Sequence, residues 1–151
     1  MNDAPLPSII CTAMMRLGTR MATVFDQTFA RFGITQAQFR VLISVCEDSL
    51  DGTSPSVLAD RLLLQRATVS VITQRMVERG LLERAPGENR RSFRLRLTLM
   101  GMSLLEEVIP HAMLLADETL AENSHDDLRR AMAFLERLEA NLRGTTSADG
   151  Q

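Results

Sequence analysis

The sequence predicts a mainly α-helical protein carrying one small β-hairpin, an α+β arrangement. Three observations lead there. Apolar residues recur at spacings of three and four along most of the chain. From Ser92 to Leu97 the period changes to strict alternation, the signature of a half-buried strand. That change falls inside the most basic stretch of an otherwise acidic chain.

The first predicted helix spans residues 8–32. Ile10, Met14, Leu17, Met21, Phe25, Phe29 and Phe32 follow at helical spacing, and Gly33 supplies a stop. A second helix starts at Thr35 or Gln36 and runs to Glu47, with Phe39, Leu42, Ile43 and Cys46 on one face. Residues 48–53, with Asp51-Gly52, read as a loop. Ser54 caps a third helix with Pro55 in its first turn, where the missing N–H costs nothing. This helix buries Leu58, Ala59 and Leu62 and ends near Leu63. After a short turn, a fourth helix runs from about Gln65 to Arg79. Its inner face is Val69, Ile72, Thr73 and Met76, and Gly80 is placed to terminate it.

Residues 82–85 form a short strand and residues 86–91 a polar tip. Residues 92–97 form the returning strand, with Phe93, Leu95 and Leu97 on the packed face. Ser92, Arg94 and Arg96 lie on the face meeting solvent or DNA. Thr98 caps a long helix reaching about Glu122, which Pro110 bends. Ser124 with Asp127 opens a last helix, with an apolar stripe of Leu128, Met132, Leu135, Leu138 and Leu142. Residues 144–151 read as a disordered polar tail.

The 151 residues, 45% of them apolar, suffice for a single domain with its own core. No apolar run reads as long enough to span a membrane, and the N-terminus lacks the pattern of a secretory signal. Two cysteines are too few for a disulfide framework, so a cytoplasmic setting is expected. The overall charge of −2 hides a strong asymmetry. Arg61 to Arg96 holds nine arginines against Glu78, Glu83 and Glu88, a net +6, which leaves −8 elsewhere. A basic stripe on an acidic body is the electrostatic footprint of a nucleic-acid binder, because the body repels DNA while the stripe attracts it. A solvated, salt-bridged surface is the other way to read a charge run.

Helix, short turn, helix and hairpin make a winged helix-turn-helix. Five segments carry a resemblance to the MarR family of bacterial regulators. They are Leu58-Ala59-Asp60-Arg61-Leu62, Arg66-Ala67-Thr68-Val69-Ser70, Glu78-Arg79-Gly80-Leu81-Leu82-Glu83-Arg84, Glu88-Asn89-Arg90-Arg91-Ser92 and Leu97-Thr98-Leu99-Met100-Gly101. The resemblance implies a winged region over 35–97, flanked by dimerisation helices at 8–32 and 99–143. Leu63 stands where the family commonly has glycine, Gln65 where it has a serine cap, Val71 where arginine is frequent, and Asn89 where an acid orients the wing arginine.

In a helix-turn-helix the second helix presents its N-terminal residues to base edges in the major groove. Arg66, Ala67, Ser70, Val71 and Gln74 lie on the outer face, with Thr68 and Arg75 flanking. Arginine suits guanine, glutamine suits adenine, and Ala67 or Val71 suits a thymine methyl. Ser54, Ser56 and Thr68 are candidate phosphate contacts. The resemblance places Arg91 of the wing in the minor groove, with Arg90 on a phosphate. Arg75 and Arg79 have a competing structural reading, as ion-pair partners of Glu78 and Glu83.

One recognition helix reads few base pairs, so a homodimer on a pseudo-palindromic double-stranded operator is expected, with half-sites about 34 Å apart. The resemblance implies a repressor released by a small amphipathic or phenolic ligand. Periodicity offers Met14, Met15, Phe39, Leu42 and Met113 as lining, although each also reads as core. A second route is thiol sensing through Cys11, placed like the reactive cysteine of the family's peroxide-sensing branch. That branch uses tyrosines, and this chain has none, with Phe25 and Gln36 at two of their places. Cys46 reads as core. His111 and His125 match no metal-ligand spacing and read as surface or capping histidines, and Glu106-Glu107 reads as a solvated helix face. No enzyme signature or cofactor motif is recognised. A winged-helix module that binds protein without reading DNA is the alternative from another class.

Overall fold

The computed structural model describes residues 5–48 and 51–146, with the side chains of 144–146 left aside. Six helices and a two-stranded hairpin follow in the order α1 Leu6–Phe29, α2 Gln36–Glu47, α3 Pro55–Leu62, α4 Arg66–Glu78, β1 Leu82–Pro86, β2 Phe93–Leu97, α5 Leu99–Thr119 and α6 His125–Thr146. By its contacts the chain divides into two compact units, Met1–Leu115 and Ala116–Gln151, a division the hydrophobic pattern does not announce.

Helix α1 passes into a 3-10 turn, Ala30–Phe32, and Gly33 ends it in the left-handed conformation. A capping box starts α2. The Thr35 side chain accepts from the Gln38 backbone, and the Gln38 side chain accepts from the Thr35 backbone. Asp26 of α1 also accepts from the Gln36 N–H at 2.6 Å, which fixes the angle between the two helices. Helix α2 buries Val41, Leu42, Ser44 and Val45. That face turns away from Cys46, which is exposed, contrary to its expected place in the core.

Ser54 caps α3 as expected, its hydroxyl accepting from the Val57 N–H. Leu58, Ala59 and Leu62 are its buried residues. Helix α4 buries Val69, Thr73 and Met76, and Ile72 is half-buried. It ends in a Schellman motif: the Gly80 N–H bonds to the Val77 carbonyl and the Leu81 N–H to the Met76 carbonyl. Gly80 takes φ 73°, which a side chain would resist.

The hairpin is antiparallel, pairing Leu82 with Leu97 and Pro86 with Phe93. A third segment joins it. Thr53 exchanges two backbone hydrogen bonds with Leu95, at 2.9 and 2.8 Å. The Thr53 segment reads as loop in the sequence, because a single-residue bridge has no period to detect. Leu95 is fully buried between this segment and the helices.

The core of the first unit gathers Phe29, Ile34, Val41, Leu42, Val45, Leu58, Leu62, Val69, Met76, Leu82, Leu95, Leu105 and Val108. Phe29 meets Phe25 edge-on at 5.6 Å and Phe39 at 4.7 Å between ring centroids. Only Phe29 of α1 is buried; Leu17 and Met21 of its stripe are exposed.

Thr98 caps α5 by accepting from the Gly101 N–H at 3.0 Å. This helix is long and apolar enough to cross a membrane by length and composition, which the interruption by Glu106, Glu107 and His111 conceals in the linear sequence. Its Gly101, Leu105 and Val108 are buried in the protein. In the second unit, Ser124 caps α6 through the Asp127 N–H and also donates to the Asp127 carboxylate. Helix α6 continues to Thr146, past the start expected for the tail, and residues 147–151 lie outside the described residues. None of the described α6 side chains is buried, and Met132, Leu135 and Leu142 are exposed.

Candidate nucleic-acid interface

Helix α4 packs one side on the core and turns the other outward. Arg66, Ala67, Thr68, Ser70, Val71 and Arg75 are all exposed, and Gln74 is half-buried. Val71 keeps more than half of its surface in solvent, at 53%. An apolar side chain so exposed beside polar ones suits a thymine methyl. Gln65 makes no side-chain cap to the first turn of α4, as its departure from the usual serine foretells. The free N–H groups there and the positive end of the helix dipole favour an anion.

Arg96 aside, the arginines of the basic stripe fall into two groups. Some are occupied by the protein itself. Arg61 pairs with Asp48 at 2.7 Å and donates to the Ser44 carbonyl. Its guanidinium holds the Asp48 carboxyl below the ordinary value, with help from the Thr53 hydroxyl, and Asp48 in turn raises Arg61. Arg79 donates to the Gly33 carbonyl at 2.6 Å, neither to Glu78 nor to Glu83. Glu78 accepts instead from Gln74.

Arg94 donates to the Gly52 carbonyl at 3.2 Å and pairs with Glu88 at 3.0 Å. Arg96 is half-buried, and its Nε is enclosed without a hydrogen-bond partner. The outward arginine face expected of β2 is therefore corrected. The segment paired through Thr53 lies alongside β2 and brings the Gly52 carbonyl to Arg94.

The second group is open. Among the described residues, Arg66, Arg75, Arg90 and Arg91 make no salt bridge, and all four are exposed. Arg90 and Arg91 sit at the hairpin tip, a turn tightened around Asn89 and Ser92. The Asn89 N–H donates to the Ser92 hydroxyl, and the Ser92 N–H donates to the Asn89 carbonyl. Asn89 Oδ1 accepts from the Arg91 N–H at 3.0 Å. The asparagine thus shapes the backbone beneath Arg91 even though it brings no charge to orient the guanidinium.

Ser54 and Ser56 are half-buried and hydrogen-bond to each other through their hydroxyls at 3.0 Å. They line a polar groove of ≈ 540 Å³ with Asp48, Asp51, Asn89 and Arg94. Arg84, which the sequence reading gave no site role, reaches from β1 to the Gln74 amide and lies over the Phe93 ring. Arg84 pairs with Leu95 across the hairpin, so alternation puts it on the face shared by Leu82, Leu95 and Phe93, and nothing linear marks Gln74 as its partner.

The five residues expected to line a ligand cleft differ in placement. Leu42 is fully buried in the core. Phe39 borders a groove with Arg40, Ile43 and Leu62, whereas Met15 borders a separate one along α1. Met14 is half-buried and Met113 is exposed. Helical spacing identifies apolar faces but does not fix which of them meet. Cys11 is exposed on α1. His111 is half-buried beside Phe32 and contacts the Arg31 guanidinium. Among the described residues no cluster of His, Cys, Asp or Glu is built to hold a metal.

Three comparisons bear on this geometry. The model of the MarR family matches residues 32–92. The chain is 23% identical over 138 residues to the HTH-type transcriptional regulator PecS of Dickeya dadantii, covering 90% of this chain and 83% of that one. Among solved structures it resembles AbsC of Streptomyces coelicolor, described as a MarR family transcriptional regulator, with a TM-score of 0.84 at 20% identity over 95% of this chain and 99% of that one. It also resembles S. aureus MepR in a complex with DNA, with a TM-score of 0.78 at 20% identity over 86% and 94%.

Proposed function

We propose that this chain, whose residues 32–92 match the model of the MarR family, is a homodimeric transcriptional regulator. In this reading it binds double-stranded DNA at a pseudo-palindromic operator and represses the genes beside it. One observation carries the reading. Of the exposed arginines in the basic stripe, those on the outer face of α4 and at the hairpin tip are the ones with no salt bridge or side-chain hydrogen bond among the described residues. An exposed, unpaired guanidinium on an acidic body is available to phosphate and guanine. The complex of MepR with DNA supports the same use of this fold.

Arg66, Ala67, Ser70, Val71 and Gln74 are the proposed base readers. Ser54, Ser56, Thr68, Arg75 and Arg90 set position on phosphates, and Arg91 enters the minor groove. The exposed apolar residues of α1 (Leu17, Met21 and Val24) and of α6 (Met132, Leu135 and Leu142) are covered in the homodimer. A small amphipathic or phenolic molecule relieves repression by favouring a dimer whose recognition helices no longer match the half-site spacing.

The test is salt-titrated binding to the duplex upstream of the protein's own gene. Expected are a footprint with two-fold symmetry, a dimer by sedimentation, and release by a small phenol. No specific complex at low salt overturns the DNA-binding reading, and a monomeric complex overturns the dimer.

A further inference from the structure

Gln74 has both ends of its amide held by charged neighbours. Its Nε2 donates to Glu78 Oε1 at 2.7 Å, one turn further along α4. Its Oε1 accepts from the Arg84 guanidinium on β1. The orientation is chemically determined: a guanidinium only donates and a carboxylate only accepts, so a flipped amide would meet like groups at both ends. Arg84 is itself seated, its guanidinium 4.7 Å from the centroid of the Phe93 ring.

Each contact uses half of what that end of the amide offers. One lone pair stays on Oε1 and one N–H on Nε2. A donor and an acceptor side by side are the complement of adenine in the major groove, which presents N7 as acceptor and N6–H as donor. An amide already held in one orientation also loses less rotamer freedom when it meets a base.

We infer that Arg84 and Glu78 are positioning residues that preset Gln74 for adenine, and that Arg84 ties base reading by α4 to the hairpin. The inference rests on the DNA-binding function proposed above.

The test selects an operator from a random-sequence duplex pool with the wild-type protein. Affinities are then measured for that operator and for each single base-pair substitution, at several salt concentrations. The proteins compared are the wild type, Gln74→Ala, Arg84→Met, Arg84→Lys, Glu78→Ala and the Gln74→Ala/Arg84→Met double variant, each checked by thermal melting.

The wild type should prefer adenine at one position of each half-site. Gln74→Ala should erase that preference, a loss of roughly 5- to 150-fold in discrimination. Arg84→Met and Glu78→Ala should weaken it at that position alone, with an unchanged salt slope. Arg84→Lys, which keeps a charged donor, should retain part of it. Arg84→Met should add nothing once Gln74 is alanine.

Unchanged base preferences in Arg84→Met and Glu78→Ala overturn the inference alone. So does a loss spread evenly over all sequences with the slope lowered by about one, because that marks Arg84 as a phosphate contact. If Arg84→Met does not fold, Glu78→Ala decides by the same criteria. A wild-type protein that enriches no sequence overturns the DNA-reading function, and the inference with it.

Discussion

The Asp48 carboxylate accepts a hydrogen bond from the Arg61 guanidinium at 2.7 Å, and its other oxygen accepts from the Thr53 hydroxyl. The end of α2, helix α3 and the segment that pairs with Leu95 therefore meet at one side chain. Arg61, with Thr53 second, holds the Asp48 carboxyl below its ordinary value. A carboxylate with a lower pKa in the folded state stabilises the fold above its unfolded pKa. That contribution disappears as pH falls through the folded pKa. The melting temperature of the wild type should drop as pH falls below about 4, the unfolded carboxylate range. Asp48→Asn should be less stable at neutral pH and should lose less over the acid interval. Parallel melting curves for the two proteins from pH 7 to pH 2 would show that the pair contributes nothing.

Leu63 adopts φ 53° and ψ 43°, the left-handed conformation, in the turn between α3 and α4. The Leu64 N–H reaches back to the Ala59 carbonyl at 3.0 Å and the Leu63 N–H to the Asp60 carbonyl, so the turn is a Schellman closure with leucine where glycine fits best. A side chain in this conformation costs about 1–2 kcal/mol. Leu63 is 79% exposed and so recovers little by packing. Leu63→Gly gives back part of the gain as unfolded-state entropy, about 0.5–1 kcal/mol. The net expectation is a stabilisation of about 0.5–1 kcal/mol, read as a rise in denaturation midpoint without a change in m. A lower midpoint would mean that the leucine packs usefully, which its exposure argues against.

The helices were legible in the sequence because each buries a face long enough to repeat its period. The Val69, Thr73 and Met76 face of α4 and the Leu58, Ala59 and Leu62 face of α3 read directly. So did the stops, since Gly33 and Gly80 occupy the left-handed positions that end a helix. What stayed hidden was the meeting of elements. The Thr53 bridge is one residue long. Cys46 lies one position beyond Val45, so a modest rotation of α2 carries it from core to solvent. At the candidate interface the outer face of α4 was legible from its position opposite the core. Which arginines remain open was not, because Arg79, Arg84 and Arg94 find partners 46, 10 and 42 residues away.

That sorting separates two arginine substitutions. Arg91 is exposed and unpaired at the hairpin tip. Arg91→Ala should leave the melting temperature unchanged, weaken operator binding and lower the salt slope by about one. Arg79 instead bonds to the Gly33 carbonyl and pins the end of α4 to the turn after α1. Arg79→Met should cost about 1 kcal/mol of stability, the order of one partly exposed charged hydrogen bond, and leave the salt slope as it was. Salt-titrated binding and thermal melting on both variants check the pair. A fall in slope for Arg79→Met would place that residue on DNA, and an unchanged slope for Arg91→Ala would take the hairpin tip off it.

Gly101 sits where α5 starts against the hairpin. A Cβ there would lie 2.1 Å from the Leu81 carbonyl oxygen and 3.2 Å from Leu97 Cδ2. The Leu81 carbonyl cannot swing aside, because it accepts from the Thr98 N–H at 3.2 Å while the Thr98 hydroxyl caps the Gly101 N–H. Helix propensity alone would favour alanine over glycine by about 1 kcal/mol. The clash opposes this, since overpacking a close contact costs about 1–3 kcal/mol, and here the atom struck is backbone. Gly101→Ala should therefore be destabilising, with the midpoint of denaturant unfolding lowered and the start of α5 displaced from the hairpin. Because Leu105 and Val108 follow one and two turns later in the same core, displacement at Gly101 should also loosen their packing and speed amide exchange across the buried stretch of α5. A midpoint equal to or above that of the wild type would show that the helix start has room to spare.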